Sequence, residues 1–267
     1  MRATVNGIDL AYEICGSPDA PPVVLHHPLA TTLRSWDALT STLEPHYRVL
    51  RFDARGHGET SAPTGAYDFA TLSKDVIALM DHVGMDKARF VGLSMGGMVG
   101  QHLGLSYRDR FHCLSLVSTS SAPAAAGAQA WRERIALAEE GGMEATVDGA
   151  IARWVTDDTL SNRPDVVELL RGMVTSTPVA GFIGWCHAIS QLDITADLPA
   201  VTCPTQVIVG SEDPATPPAA AQAIHGAIAG SEYVEIPGVS HMLQLENPPA
   251  FHAALLPFLA ANGPTPH

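Results

Sequence analysis

Ser94 stands in the stretch FVGLSMGGMVG (90–100), a lone hydroxyl among four glycines directly after an apolar run. The core of that stretch, Gly92-Leu93-Ser94-Met95-Gly96, suits a strand that must turn abruptly into a helix, because a Cβ on either flanking position would obstruct the turn. Such a turn lifts the serine clear of a sheet. It also sets the hydroxyl at a helix N-terminus, whose free N–H groups face any negative charge that forms beside it. The chemistry implied is nucleophilic attack by the hydroxyl. A chance glycine-rich loop accounts less well for the flanks, since ARFV before it and MGGMVGQHLGLS after it read as strand and helix.

A serine hydroxyl attacks poorly until a base takes its proton, so a histidine and a group that orients it are required. His241, in GVSHMLQLENP, falls after the last expected strand and before the last expected helix, at the carboxyl edge of a sheet. In the chain order serine, acid, histidine, the acid precedes it. Asp213 in VIVGSEDPATPP stands just past an expected strand, in a loop of turn-forming residues, with Glu212 as the alternative. A tetrahedral intermediate also needs two N–H donors. Met95 supplies one as the residue after the nucleophile, and Leu29 in HHPLATTLRSW is assigned the other, because Pro28 has no N–H to give. His26 and His27 are poor metal ligands as a pair, since neighbours on a strand point to opposite faces. No cofactor is expected.

These groups need a sheet to hold them. TVNGIDLAYEI carries Asn-Gly between alternating residues, the mark of an opening antiparallel hairpin. PPVVLHH, YRVLRFD and ARFVGL follow as short apolar runs fit for strands buried on both faces, and HCLSLVS, TQVIVG and EYVEIPG supply three more. Between Ala70 and Val83 the residues Leu72, Val76, Leu79, Met80 and Val83 repeat at three and four, which predicts a helix with one apolar face. PPAAAQAIHGAI and PPAFHAALLPFL read as helices led by prolines suited to a first turn. Strand and helix in alternation imply a parallel sheet. From about Ala122 to Thr195 the alternation stops and the pattern turns helical, after a flexible-looking junction, SSAPAAAGAQA. The expected division is a core of residues 1–121 and 196–267 and a helical insertion of 122–195.

The whole chain agrees with an enzyme of ordinary globular type. Its 267 residues, 46% of them hydrophobic, allow a large core, and a net charge of −13 argues against general nucleic-acid binding. Cys15, Cys113, Cys186 and Cys203 form no CxxC pair and are expected as free thiols in a reducing compartment. The N-terminal MRATVNGIDL has no apolar signal region and no run is long enough to span a bilayer, so a cytoplasmic protein with no membrane partner is expected. Oligomeric state is not legible.

The chain resembles an α/β-hydrolase over essentially its full length. RFDARGHGETSAP resembles that superfamily's D-x-R-G-x-G-x-S segment, in which Asp53 and Arg55 brace the loop below the site. Within the superfamily it is most similar to the 3-oxoadipate enol-lactonases, on RFDARGHG, VGLSMGGMVGQ, WRERI, GGMEA, ARW, DPATPP and ENPPAF. The departure is HHPLATT, where those lactonases carry a more polar segment ending in leucine, glycine and threonine. The resemblance implies a mostly parallel eight-stranded sheet flanked by helices, a helical cap after the sixth strand, and a small lactone or ester as substrate. The carboxylate of such a lactone needs a cation beside an apolar wall, and Trp131, Arg134, Arg153 and Trp154 in the insertion are the candidates. Solvated helix faces explain such arginines equally well, and Trp185 reads as insertion core. Three alternatives stand beside the lactonase. A carboxylesterase or other lactonase keeps the same three side chains, a non-enzymatic receptor on this fold also keeps them, and ring-cleavage C–C hydrolases usually carry a glycine-rich oxyanion loop absent here. Dehalogenases and epoxide hydrolases use an aspartate where Ser94 stands.

Overall fold

A computed structural model describes residues 1–122 and 127–265. The chain opens with β1 (Arg2–Val5) and β2 (Ile8–Cys15), paired antiparallel so that Val5 faces Ile8 across the Asn6-Gly7 turn. Asn6 (φ 46°) and Gly7 (φ 77°) are both left-handed, as a two-residue hairpin of this hand requires. Then follow β3 (Pro22–His26), α1 (Asp37–Leu43), β4 (Arg48–Phe52), α2 (Phe69–His82), β5 (Ala88–Leu93), α3 (Met95–Ser106) and β6 (Phe111–Val117). Next come α4 (Gly127–Gly141), α5 (Val147–Trp154), α6 (Asp157–Asn162), α7 (Pro164–Ser176) and α8 (Val179–Ser190). The chain ends with β7 (Thr205–Gly210), α9 (Pro218–Ala227), β8 (Glu232–Ile236), α10 (Leu243–Glu246) and α11 (Pro248–Ala261).

The eight strands form one sheet in the order β1-β2-β4-β3-β5-β6-β7-β8, antiparallel at β1/β2 and β2/β4 and parallel from there on. Every residue of β5 and of β7 is buried, the state of central parallel strands covered on both faces. This is the α/β-hydrolase architecture, with the helical cap inserted after β6. The helix expected over 70–83 runs from Phe69 to His82, because Asp68 caps it by accepting the Thr71 N–H at 2.8 Å. Leu72, Val76, Leu79 and Met80 lie on its buried face, while Val83 is already the cap residue. The expected junction SSAPAAAGAQA lies partly outside the described residues, at 123–126. Cys15, Cys113, Cys186 and Cys203 are all free, and among the described residues no single helix is long and apolar enough to cross a membrane.

Two seams tie the inserted helices to the sheet domain. At one, α8 lies directly on the loop after β4: a Cβ on Gly181 would stand 1.9 Å from the Gly56 carbonyl oxygen. There the Trp185 indole N–H donates to the Arg55 carbonyl at 2.7 Å, and the Tyr67 N–H donates to the Gly184 carbonyl at 3.1 Å. At the other, the Met242 N–H donates to the Trp154 carbonyl at 2.9 Å. Beside it the Glu246 carboxylate accepts from the Thr156 N–H (2.7 Å), the Thr156 hydroxyl (2.9 Å) and the Ser240 N–H (2.5 Å).

Candidate active site

Ser94 sits between the last residue of β5 and the first of α3 with φ 55° and ψ −113°, a left-handed backbone that an L-residue holds only under constraint. The constraint is visible. Ser94 donates its N–H to the Val117 carbonyl at 2.8 Å, and its own carbonyl accepts from the Met98 N–H (3.0 Å) and the Thr119 hydroxyl (2.8 Å). The flanking glycines have the steric purpose the sequence suggests: a Cβ on Gly92 would lie 2.3 Å from the Gly96 oxygen, and one on Gly96 2.4 Å from the His26 oxygen. Only bare backbone lets β3, β5 and the start of α3 close up at this point.

His241 and Asp213 meet at the carboxyl ends of the strands. The His241 Nδ1 lies 2.8 Å from Asp213 Oδ2, and both residues are almost wholly buried. Asp213 also accepts from the N–H groups of Ala215 (2.8 Å) and Thr216 (2.9 Å) and from the Thr216 hydroxyl (2.8 Å). Burial pushes the Asp213 carboxyl up, but His241 and the Thr216 donors outweigh it and hold the group below its usual range. The carboxylate thus accepts a hydrogen bond from the His241 Nδ1–H, which leaves Nε2 free as the acceptor. Glu212, the alternative acid, is exposed, and its N–H bonds to the Val239 carbonyl. Ser94 and His241 line the same cavity.

Met95 is the first residue of α3, so its N–H has no partner within the helix. In the loop after β3 the donors are nearly all spent. Pro28 has none, Ala30 donates to His57 Nε2 at 2.9 Å and Thr31 to the Pro28 carbonyl at 3.3 Å. Leu29 keeps the one N–H of residues 28–31 without an acceptor among the described residues, and it lines the cavity with Ser94. Asp53 braces this loop by accepting from the Leu33 and Glu59 N–H groups, each at 2.9 Å, and Arg55 forms a two-pronged pair with Asp75, both prongs 2.7 Å. His26 and His27 are buried, pushed down to about 3 and about 4 by loss of solvation, with the His27 charge adding to the effect on His26. Among the described residues no group of three His, Cys, Asp or Glu side chains is placed to hold a metal ion.

The cap forms the opposite wall. Trp131, Arg134, Arg153 and Trp154 all line the cavity, joined by Leu137, Phe182 and Ile189. The Arg134 guanidinium lies 4.5 Å from the centre of the Trp131 ring. Burial lowers Arg134, and burial together with the charge of Arg134 pushes Arg153 down to about 10, so both remain cations at neutral pH. Neither has a carboxylate partner among the described residues. Trp185 faces away from the cavity and into the seam beneath it, stacked edge-on at 6.0 Å from both His26 and His57.

Sequence reasoning passed over Thr216, whose hydroxyl bonds Asp213 and lies 3.2 Å from His241 Nδ1. Its position three residues past an aspartate in a turn was the available signal. Leu137, Phe182 and Ile189 carried no such signal, because their place in the wall depends on how the cap helices dock.

Comparison with known proteins agrees with this fold. Residues 21–248 match the family described as the alpha/beta hydrolase fold. The 3-oxoadipate enol-lactonase 2 of Acinetobacter baylyi is 32% identical over 94% of this chain and 93% of its own. The crystal structure of the enol-lactonase from Burkholderia xenovorans LB400 superposes with a TM-score of 0.94 at 36% identity, covering 97% of this chain and 100% of that one. A thermophilic esterase from Thermogutta terrifontis, solved with malate bound, superposes with a TM-score of 0.92 at 30% identity, covering 98% of each chain. On the sheet order, the inserted cap and the match across most of its length, the chain belongs to the α/β-hydrolase family.

Proposed function

We propose that the chain is a serine hydrolase that opens a small carboxylated enol-lactone, converting 3-oxoadipate enol-lactone to 3-oxoadipate. The observation that carries the reading is the buried 2.8 Å pair of His241 and Asp213 opening onto the cavity that Ser94 lines. His241 Nε2 takes the Ser94 proton as the oxygen attacks the lactone carbonyl, and the oxyanion accepts from the Met95 and Leu29 N–H groups. Collapse breaks the ring C–O bond, and the departing enolate oxygen takes the proton from His241, leaving an enol tethered to the acyl chain and a neutral imidazole. The enol tautomerises to a ketone, which no longer competes to reclose the ring. Water activated by His241 then attacks the acyl-enzyme, and Ser94 recovers its proton.

At least one of Arg134 and Arg153 holds the substrate's free carboxylate against the apolar wall of Trp131 and Trp154. Two half-buried cations without a carboxylate partner support that role, as do relatives named enol-lactonases. No cofactor is needed, since nucleophile, base and oxyanion donors all come from the chain. A reducing cytoplasm suits the four free cysteines. A second reading, a carboxylesterase acting on another small acyl group, is favoured by the HHPLATT departure and by the esterase relative at 30% identity.

The test is a comparison of kcat/KM across an enol-lactone bearing a carboxylate, a saturated lactone and a neutral ester. The enol-lactone should exceed the neutral ester by about 100-fold or more, as recognition of a desolvated charge implies. Equal values favour the esterase, and turnover of none of them removes the hydrolase reading in favour of a receptor.

A further inference from the structure

The loop that carries Leu29 departs from the expected glycine-bearing sequence, and Ala30 takes up the left-handed conformation (φ 54°) at a position where an L-residue resists it. Two buried imidazoles hold it there. The Ala30 N–H donates to His57 Nε2 at 2.9 Å, and on the far side of the loop the Ala54 N–H donates to His27 Nε2 at 2.9 Å. A ring nitrogen that accepts an amide proton carries none, so the network assigns the proton of both rings to Nδ1. His27 Nδ1–H then donates to the Pro28 carbonyl at 2.8 Å, and His57 Nδ1–H to the Arg55 carbonyl at 3.3 Å. Thr31 adds its hydroxyl to the same Pro28 carbonyl at 2.8 Å. Neither imidazole is exposed, and their ring centres are 5.1 Å apart.

Leu29 lies between two peptides that these rings hold: the Pro28 carbonyl, in the peptide that carries the Leu29 N–H, is tied to His27, and the Ala30 N–H, in the next peptide, is tied to His57. The direction of the Leu29 N–H is set by those two rings rather than by the loop's own preference. We propose that His57 is a positioning residue for the oxyanion hole: by accepting the Ala30 N–H it holds the peptide after Leu29, as His27 holds the one before it, and together they fix the aim of the Leu29 N–H at the substrate's carbonyl oxygen. This rests on the serine-hydrolase reading. His57 touches neither substrate nor reacting atoms, and its influence passes through one backbone turn. A donor aimed at the oxyanion matters more in the transition state than in the Michaelis complex, so misaiming it lowers kcat more than it raises KM.

The test uses the full chain with a p-nitrophenyl ester, after establishing that Ser94→Ala abolishes turnover; if it does not, the serine-hydrolase reading fails. His57→Leu removes the acceptor at similar bulk and should lower kcat by about 10- to 100-fold with KM within about twofold, a partial loss of one oxyanion donor. Affinity for a trifluoromethyl ketone, whose adduct with Ser94 carries the oxyanion, should fall in parallel. His57→Gln, whose amide oxygen reaches the same N–H, should restore most of kcat. A folded His57→Leu with unchanged kcat, or equal losses in the Leu and Gln variants, overturns the proposal. Should His57→Leu fail to fold, ¹⁵N-histidine spectra of the unaltered protein decide: His27 and His57 must both appear as neutral Nδ1–H tautomers, and an Nε2–H tautomer at His57 overturns it whatever the activity.

Discussion

On the core side of the cavity, Asp213 accepts bonds from His241, Ala215 and Thr216, and Ser94 is locked at both its N–H and its carbonyl. On the cap side, among the described residues, Arg134 has the face of Trp131 and no ion partner, and Arg153 has no ion partner either. Both walls are largely desolvated, yet one is saturated with hydrogen bonds and the other leaves charge uncompensated. A group that must act the same way in every turnover is best held by protein partners, because each bond removes a wrong orientation. A group that must recognise an incoming anion has to keep its donors free until the anion arrives. On the proposed function, the contrast separates residues that would do chemistry from residues that would choose what undergoes it.

The hardest break is on the saturated side. Ser94→Ala or His241→Gln should each reduce kcat by roughly 10⁴-fold or more on every ester or lactone, with denaturant unfolding close to that of the parent; residual activity within tenfold of the parent would deny these residues their roles. Asp213→Asn should cost about 10³- to 10⁴-fold, since an amide no longer secures the Nδ1 proton, and the loss should be the same for charged and neutral substrates. The cap side should behave otherwise. Arg134→Ala or Arg153→Ala at the true contact should raise KM for a carboxylated lactone by about 2–5 kcal/mol, roughly 30-fold to several thousand-fold, while leaving a neutral ester within about threefold. Identical effects on both substrate classes would erase the distinction between the two walls.

Acid offers a separate handle, because it reaches the core side through its neutral histidines. Burial lowers His26 to about 3, His27 to about 4 and His57 well below its ordinary value, so the unfolded chain binds protons that the fold refuses. Above about pH 6.5 these rings are neutral in both states and contribute no pH dependence. Below it, stability should fall by about 1.4 kcal/mol per pH unit for each ring, continuing to about pH 4 for His27 and about 3 for His26. Urea unfolding at pH 7.5 and 5.0 measures this, and equal midpoints would contradict it. The smallest effect belongs to Thr216→Val, which removes one hydroxyl from Asp213 and should lower kcat about three- to tenfold, about 1 kcal/mol. The change should appear with charged and neutral substrates alike.

The same contrast decides what the sequence discloses. Gly92 and Gly96 announce the turn at Ser94 because the steric demand is local, and Asp213 and His241 fall at strand ends that apolar runs locate. Asn6-Gly7 declares its hairpin for the same reason, a conformation that few residues tolerate. The cap follows no such local rule. Its helices can be read from composition and spacing, but Leu137, Phe182 and Ile189 join the wall only through the docking of α4 and α8. Trp185 looks like cap core from its apolar surroundings, yet its indole bonds Arg55 across the seam. The histidines of HHPLATT and RGHG are far apart in sequence, and nothing in either segment signals that one loop is hung on the other.

The glycine-on-glycine contact at Gly56 and Gly181 bears on how such a chain is recombined. Backbone that approaches this closely leaves no room for a side chain at either position. Together with the Trp185 and Tyr67 bonds it ties α8, which also packs on α4, to the sheet domain. A chimaera that transplants the selectivity of another hydrolase should therefore carry α4 to α8 as one block and keep glycine at both 56 and 181. A graft whose α8 bears a side chain in place of Gly181 would force the backbone apart at Gly56 and fail at a place remote from any residue chosen for its chemistry.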